Sequence, residues 1–276
     1  MDSIKVKNFI IIVLLIVNAI LLSVFVTDTV RERGQASGAV DGAVSLLAEN
    51  GIAVSADADL SERSLGVVAL SRDTEREREL VSSVLGDVTV TNLGGNILHY
   101  VGPKGEANFR GTGSFEILVY DNDFVGEEPL TAARHFAAQL GLDTLREPVS
   151  SSVDPETLDG TLELMCTSNS ASVVNCRLSF TFSDGEIIMV LGTRVLDSVV
   201  NESGMDTLDV PTVLMRFLAL VLDSGRVCSS LDSLELCYSM TATAAGDGSL
   251  VPVWRITTDT GEYYINAVSG LEETIT

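Results

Sequence analysis

The sequence predicts an α+β protein in which a single N-terminal transmembrane helix precedes tandem units, each a helix with an antiparallel sheet. Three observations predict it. A charge-free apolar run opens the chain, two helix-period segments recur in the second half, and three strand-like stretches follow each of them.

The opening run is FIIIVLLIVNAILLSVFV, Phe9–Val26, with Asn18 and Ser23 as its polar interruptions. At about 1.5 Å per residue it would span roughly 27 Å, close to the hydrocarbon thickness of a bilayer. The run ends Ser23-Val24-Phe25-Val26-Thr27 without the paired small residues of a cleavage site, so an uncleaved signal-anchor is expected. Lys5 and Lys7 before the run balance Arg31 and Arg33 after it. The short leading tail and the four downstream cysteines favour a cytoplasmic N-terminus and an extracytoplasmic ectodomain. The expected localisation is therefore the cell membrane, single-pass. An amide in mid-membrane needs a hydrogen-bond partner, which makes Asn18 the candidate contact for a partner helix.

Organisation follows from periodicity. Residues 1–30 form the flank and anchor, 31–125 an N-terminal α+β region, 126–200 a first helix-plus-three-strand unit and 201–276 a second. Val40, Val44 and Leu47 mark a helix over Ser37–Asn50, stopped by Gly51. A strand at Leu65–Leu70 precedes SRDTEREREL, where Thr74 as N-cap and Glu77 three residues on would make a capping box. Glu75–Arg78 and Arg76–Glu79 are i,i+3 pairs, so this run is expected to be a solvated helical face. Strands are then expected at Asn96–Val101, Ala107–Arg110 and Ser114–Tyr120.

The repeat rests on letters as well as pattern. Helices over residues 128–142 and 209–225 begin with Pro129, and with Asp209 as cap and Pro211 in the first turn. LDGTLELMC (Leu158–Cys166) parallels LDSLELCY (Leu231–Tyr238), and SDGEIIMV (Ser183–Val190) parallels DTGEYYIN (Asp259–Asn266). Strands are expected at Thr161–Thr167, Val173–Phe182 and Glu186–Leu191, then at Ser233–Thr243, Leu250–Thr258 and Glu262–Val268. A helix laid on three antiparallel strands buries one sheet face.

A formal net charge of −22 repels phosphate backbones, so nucleic acid is not an expected partner. The chain shows no nucleophile-elbow, zinc-protease or phosphate-loop signature. His99 and His135 read as structural or exposed, Lys104 sits in a Pro-Gly turn, and Asp121-Asn122-Asp123 lacks the later ligands of a calcium loop. No catalytic residue, metal site or cofactor is expected. Four cysteines allow three pairings. In an oxidising compartment Cys166–Cys176, across a hairpin, and Cys228–Cys237 are the favoured disulfides.

The two ends of the chain resemble a known family. MDSIKVKNFIIIVLLIVNAILL, with Asn18 placed before the last turns of its helix, resembles the N-terminus of the YycI and YycH accessory proteins of the WalK (YycG) sensor histidine kinase. VPVWRITTDTGEYYINAVSG (Val251–Gly270) resembles the last hairpin of YycI-type domains and of PepSY-like units, through Trp254, Tyr263, Tyr264, Asn266 and Gly270. The resemblance implies PepSY-like, YycI-like units with no enzymatic activity. It implies a membrane-anchored regulator of a two-component sensor histidine kinase, with a paralogous accessory protein as a second partner. Differential affinity for one kinase state would supply the mechanism. The alternative is a PepSY-like extracytoplasmic binding module that inhibits a protease or binds a cell-envelope ligand.

Overall fold

The computed structural model describes residues 38–121, 123–124, 126–203 and 207–275. In chain order the elements begin with α1 (residues 38–49), β1 (Ala53–Val54), β2 (Val67–Ser71) and α2 (Thr74–Leu85). A meander follows: β3 (Thr89–Gly94), β4 (Ile97–Gly102), β5 (Gly105–Arg110) and β6 (Ser114–Val119). Then come α3 (Pro129–Gln139), β7 (Ser150–Ser151), β8 (Gly160–Ser168), β9 (Ala171–Ser183), β10 (Glu186–Thr193) and β11 (Asp197–Ser203). The chain continues through α4 (Val210–Ser224), β12 (Ser230–Ala242), β13 (Asp247–Thr258) and β14 (Gly261–Asn266).

Local chemistry accounts for the helix ends. The Asp209 side chain accepts from the Thr212 amide, Pro211 occupies the first turn of α4, and Gly225 closes the helix in the left-handed region. Val213, Leu214, Phe217 and Val221 then line its buried stripe. In α1, Ala43 and Leu47 are buried one turn apart. The Ile52 amide returns to the Leu47 carbonyl at 2.9 Å to end that helix.

The expected α+β architecture of a transmembrane helix and separate tandem units is corrected by the sheet. Of the described residues, 43% are strand and 22% helix, and the strands join one curled half-barrel. Its longest path runs β11-β2-β13-β12-β9-β10-β6-β5-β4-β3, with β1, β7, β8 and β14 attached beside it. Strand length is the reason. β9 and β13 span 13 and 12 residues, so they overhang the shorter β10 and β14, while β12 matches β13 along its length. Each overhang pairs with a remote segment: Tyr238 of β12 bridges Val173 of β9 in parallel, and Asp247–Leu250 of β13 pair with β2. On the first unit's side, Met189–Thr193 of β10 pair with β6. Edges that isolated units would leave open are thereby closed.

The single-pass membrane placement, and the extracytoplasmic localisation built on it, are likewise corrected. Among the described residues no helix is long and apolar enough to cross a membrane. The longest described helix, α4, has 15 residues, about 22 Å of helix, short of the roughly 30 Å of a bilayer core. Phe9–Val26, with Asn18, lies outside the described residues.

Two apolar cores lie along the sheet. In the first, α2 and α3 cover the meander and β8–β10, with Tyr100, Phe109, Phe136 and Phe180 fully enclosed. In the second, α1 and α4 cover β12–β14 around Phe217, Trp254 and Tyr263. β12 serves both: Leu234 and Leu236 enter the second core, Tyr238 and Met240 the first. Phe217 meets Tyr263 edge to face at 5.2 Å. Phe217→Ala is expected to cost about 3–5 kcal/mol of stability by urea unfolding, because a rigid sheet cannot close over the void. Leu222→Ser, at an exposed position of the same helix, should change it by less than about 0.5 kcal/mol.

Candidate functional site

Asp73, not Thr74, caps α2: its Oδ1 accepts from the Glu75 and Arg76 amides, each at 3.0 Å. The one-residue shift places Glu77 on the buried stripe with Val81, Val84 and Leu85. The expected capping box is corrected accordingly, since Glu77 is only 2% exposed, while Glu75, Arg76, Arg78 and Glu79 lie on the exposed face of the helix. Its Oε1 accepts from Arg72 Nη2 at 2.6 Å and from the Tyr100 hydroxyl at 2.8 Å. Its Oε2 accepts from Arg72 Nε at 2.9 Å and from Arg194 Nη2 at 2.7 Å. Burial, and then the adjoining Glu77 carboxylate, raise the Tyr100 pKa, so the phenol stays a donor.

The two arginines carry this cluster into the rest of the fold. Arg72 Nη1 donates to the Asn96 carbonyl at 2.6 Å, joining the end of β2 to the β3–β4 turn. The Arg194 guanidinium stands 5.8 Å over the Phe109 ring, and its Nη1 lies 3.7 Å from Asp197. Asp197 also meets Arg76 at 3.3 Å and accepts from the Asp73 amide. Desolvating these charges is costly, and only the complete set of partners offsets it.

Beside Arg194 lies a cavity of about 230 Å³, walled by α2, the end of α3, the β8–β9 turn and residues 194–198. Leu80, Leu140 and Leu196 give it apolar surface, while Asp143 and Asp197 add carboxylates. Arg194 lines it, and the Arg194 Nε has no hydrogen-bond partner. A buried donor left unmade costs about 1–3 kcal/mol.

The residues singled out by sequence are mostly elsewhere. All four cysteines are buried free thiols, which corrects both expected disulfides. Cys228 belongs to the second core and Cys237 to a small cluster with Val174, Val253 and Tyr264. The extended chain between them covers more than about 20 Å, whereas a disulfide needs its Cα atoms within about 7 Å. Cys166 falls at an irregularity in the β8–β9 ladder, and Cys176 Sγ lies 3.8 Å from Met240 Sδ instead. Burial pushes the Cys166 and Cys237 thiols up to about 12 and raises Cys176 and Cys228 as well.

The hairpin motif is architectural. Trp254 is buried and donates to the Leu208 carbonyl, and Tyr263 packs on Phe217. The Tyr264 hydroxyl bonds Glu262, while the Asn266 side chain accepts from the Val268 and Ser269 amides to form the turn toward Gly270. His99 pairs with Asn108 on the sheet, and His135 with Glu127 at the surface. Among the described residues no group of His, Cys, Asp and Glu could hold a metal. Sequence reasoning assigned Glu77 to a helix cap rather than to this cluster, and missed Arg72 and Arg194. A legible signal existed for Glu77, a glutamate at i, i+4, i+7 with Val81 and Val84.

No family model matches the chain, and no curated protein does. Among solved structures, the chain is similar to an uncharacterized protein from Eubacterium rectale ATCC 33656, with a TM-score of 0.51 and 10% identity. That match covers 82% of this chain and 90% of the other. At this identity the likeness concerns the fold alone.

Glu77→Gln keeps the shape but leaves two buried guanidinium groups facing a neutral amide. A loss of about 3–5 kcal/mol is expected in chemical unfolding, against a small change for Glu75→Gln on the exposed side of α2. Iodoacetamide at pH 8 should leave Cys166, Cys176 and Cys237 unmodified in the native protein and label all four cysteines after unfolding without reductant. Raised thiol pKa values make the folded state the one that binds more protons at high pH. Their contribution to stability should be intact below the ordinary value of 9.0 and disappear as the pH climbs toward about 12. A thermal melt series across that window reads it.

Proposed function

We propose that this chain is a non-catalytic regulatory protein that modulates a sensor histidine kinase by direct contact of its β-rich body. The observation that carries the reading is the saturation of the deepest polar cluster. Glu77 accepts four hydrogen bonds, so it is spent on holding β2, β4 and the β10–β11 segment together. A carboxylate so engaged has no lone pair directed at a substrate. What the chain offers a partner is then its outer surface, which carries most of a net −22 charge and suits a partner with a basic face. The resemblance of Val251–Gly270 to YycI-type domains points to the kinase.

A second reading, a binding module that restrains a protease or takes an envelope ligand, is favoured by one observation. This is the cavity lined by Arg194 with its unpartnered Nε.

Photo-cross-linking side chains placed at Leu222 and Val227, both exposed, separate the two in the cells that make the protein. Capture of a sensor histidine kinase is expected. Adding the purified protein should change that kinase's autophosphorylation at least about fivefold, the lower bound of ordinary allosteric coupling. Capture of a peptidase, or an unchanged rate, overturns the regulatory reading.

A further inference from the structure

The sheet ends in a strand that nothing guards. β3 lies last on the strand path and pairs only with β4, so its second edge presents unpaired backbone amides and carbonyls. All six of its residues, TVTNLG, are exposed, and none is charged or a proline. Val90 and Leu93 add large apolar side chains to that edge. Among the described residues the other edge strands are protected. β1 and β7 have two residues each, and β11 holds Asp197 in ion pairs with Arg76 and Arg194. β14 carries Glu262 and is bridged at Ile265 by Glu272. The bulge in β3 lies between Asn92 and Gly94, beside the turn into β4, and leaves Thr89–Asn92 in regular register.

Charge narrows the partner. The net −22 of the chain repels an acidic strand, and a basic one finds no carboxylate on β3 to meet. A second copy of β3 needs neither. Turned antiparallel about Thr91, it would set Thr91 opposite Thr91, Val90 opposite Asn92 and Thr89 opposite Leu93. Threonine pairs are favourable across strands, and no charge would face another, since Asp87 would stand across from Gly95.

We infer that β3 is a self-association edge, at which two copies of this chain pair antiparallel about Thr91 and join their sheets across a two-fold axis. Six residues make a contact of about 20 Å, short of a standard interface, so the dimer is weak and reversible. This goes beyond kinase contact and is independent of it, because Leu222 and Val227 lie beside the other core.

Sedimentation of the purified full chain and cross-linking of Thr91→Cys test it. A monomer–dimer equilibrium is expected at roughly 10–500 μM. Two bodies of like charge repel, so raising NaCl from about 0.05 to 0.5 M should tighten it about threefold or more. Thr91→Lys, at an exposed position, sets two cations face to face and should weaken the dimer at least about tenfold without moving the melting curve. Directly opposed residues have Cα atoms about 4.5–5.5 Å apart, within disulfide reach. Glutathione disulfide, reduced to two thiols as the bond forms, should therefore convert Thr91→Cys to covalent dimer at least about fivefold faster than Thr89→Cys, whose thiols would stand about 13 Å apart. A monomer throughout that range, association unchanged by Thr91→Lys, or equal cross-linking of the two cysteine variants overturns the inference. Capture of a kinase through Leu222 leaves each of these outcomes as decisive as before.

Discussion

A single carboxylate organises the polar interior of this protein. Glu77 enters from the first turns of α2 and meets guanidinium groups that arrive from the end of β2 and the end of β10, together with a phenol from β4. α2, β4 and the end of β10 are far apart in sequence, and Val81, Tyr100, Val190 and Leu196 bring them into one core without fixing their polar groups. The desolvation cost of two arginines is tolerable only with the carboxylate present, and the carboxylate only with them. The cluster therefore favours one arrangement of strands over the many that apolar packing alone would permit. Its position, at the seam where α2 meets the sheet, also creates the cavity beside Arg194.

Two long strands do for the sheet what Glu77 does for the interior. β12 and β13 present one stretch of each ladder to the second core and another to the first. Curling follows from this division, since helices sit over different parts of the same strands. A helix-on-sheet arrangement is retained locally, but the hydrogen bonding is shared across the chain. The likeness to the Eubacterium rectale protein at 10% identity shows how weakly such a sheet constrains individual side chains.

Much of the local structure was legible. Asp209, Pro211 and the stripe Leu214, Phe217 and Val221 announce α4, and the glycine-centred turns at Gly185 and Gly261 fix their hairpins. β3 was not legible, because TVTNLG lies exposed at the sheet edge and carries no inward alternation. The cap of α2 was misread by one residue, which turned a buried glutamate into a surface one. Arg72 and Arg194 had no signal at all, because their partners lie 5 and 117 residues away and only the fold unites them. Cysteine spacing misled for a related reason. Cys237 follows Cys228 by nine positions, yet an extended strand places the two thiols in different clusters, and the case for an oxidising compartment loses that support.

The pairing of β2 sets the order in which the molecule can be completed. Val68, Ala69, Leu70 and Ser71 emerge early, yet one of their neighbours is Asp247–Leu250. A ribosome adding about 5–20 residues per second needs on the order of ten to forty seconds to cover that interval. Throughout it, one side of β2 has no permanent mate, and the alternating apolar residues Val68 and Leu70 wait beside it. A chain built this way depends on its final third to shelter its first, so any pause late in translation prolongs the exposure of a segment made long before.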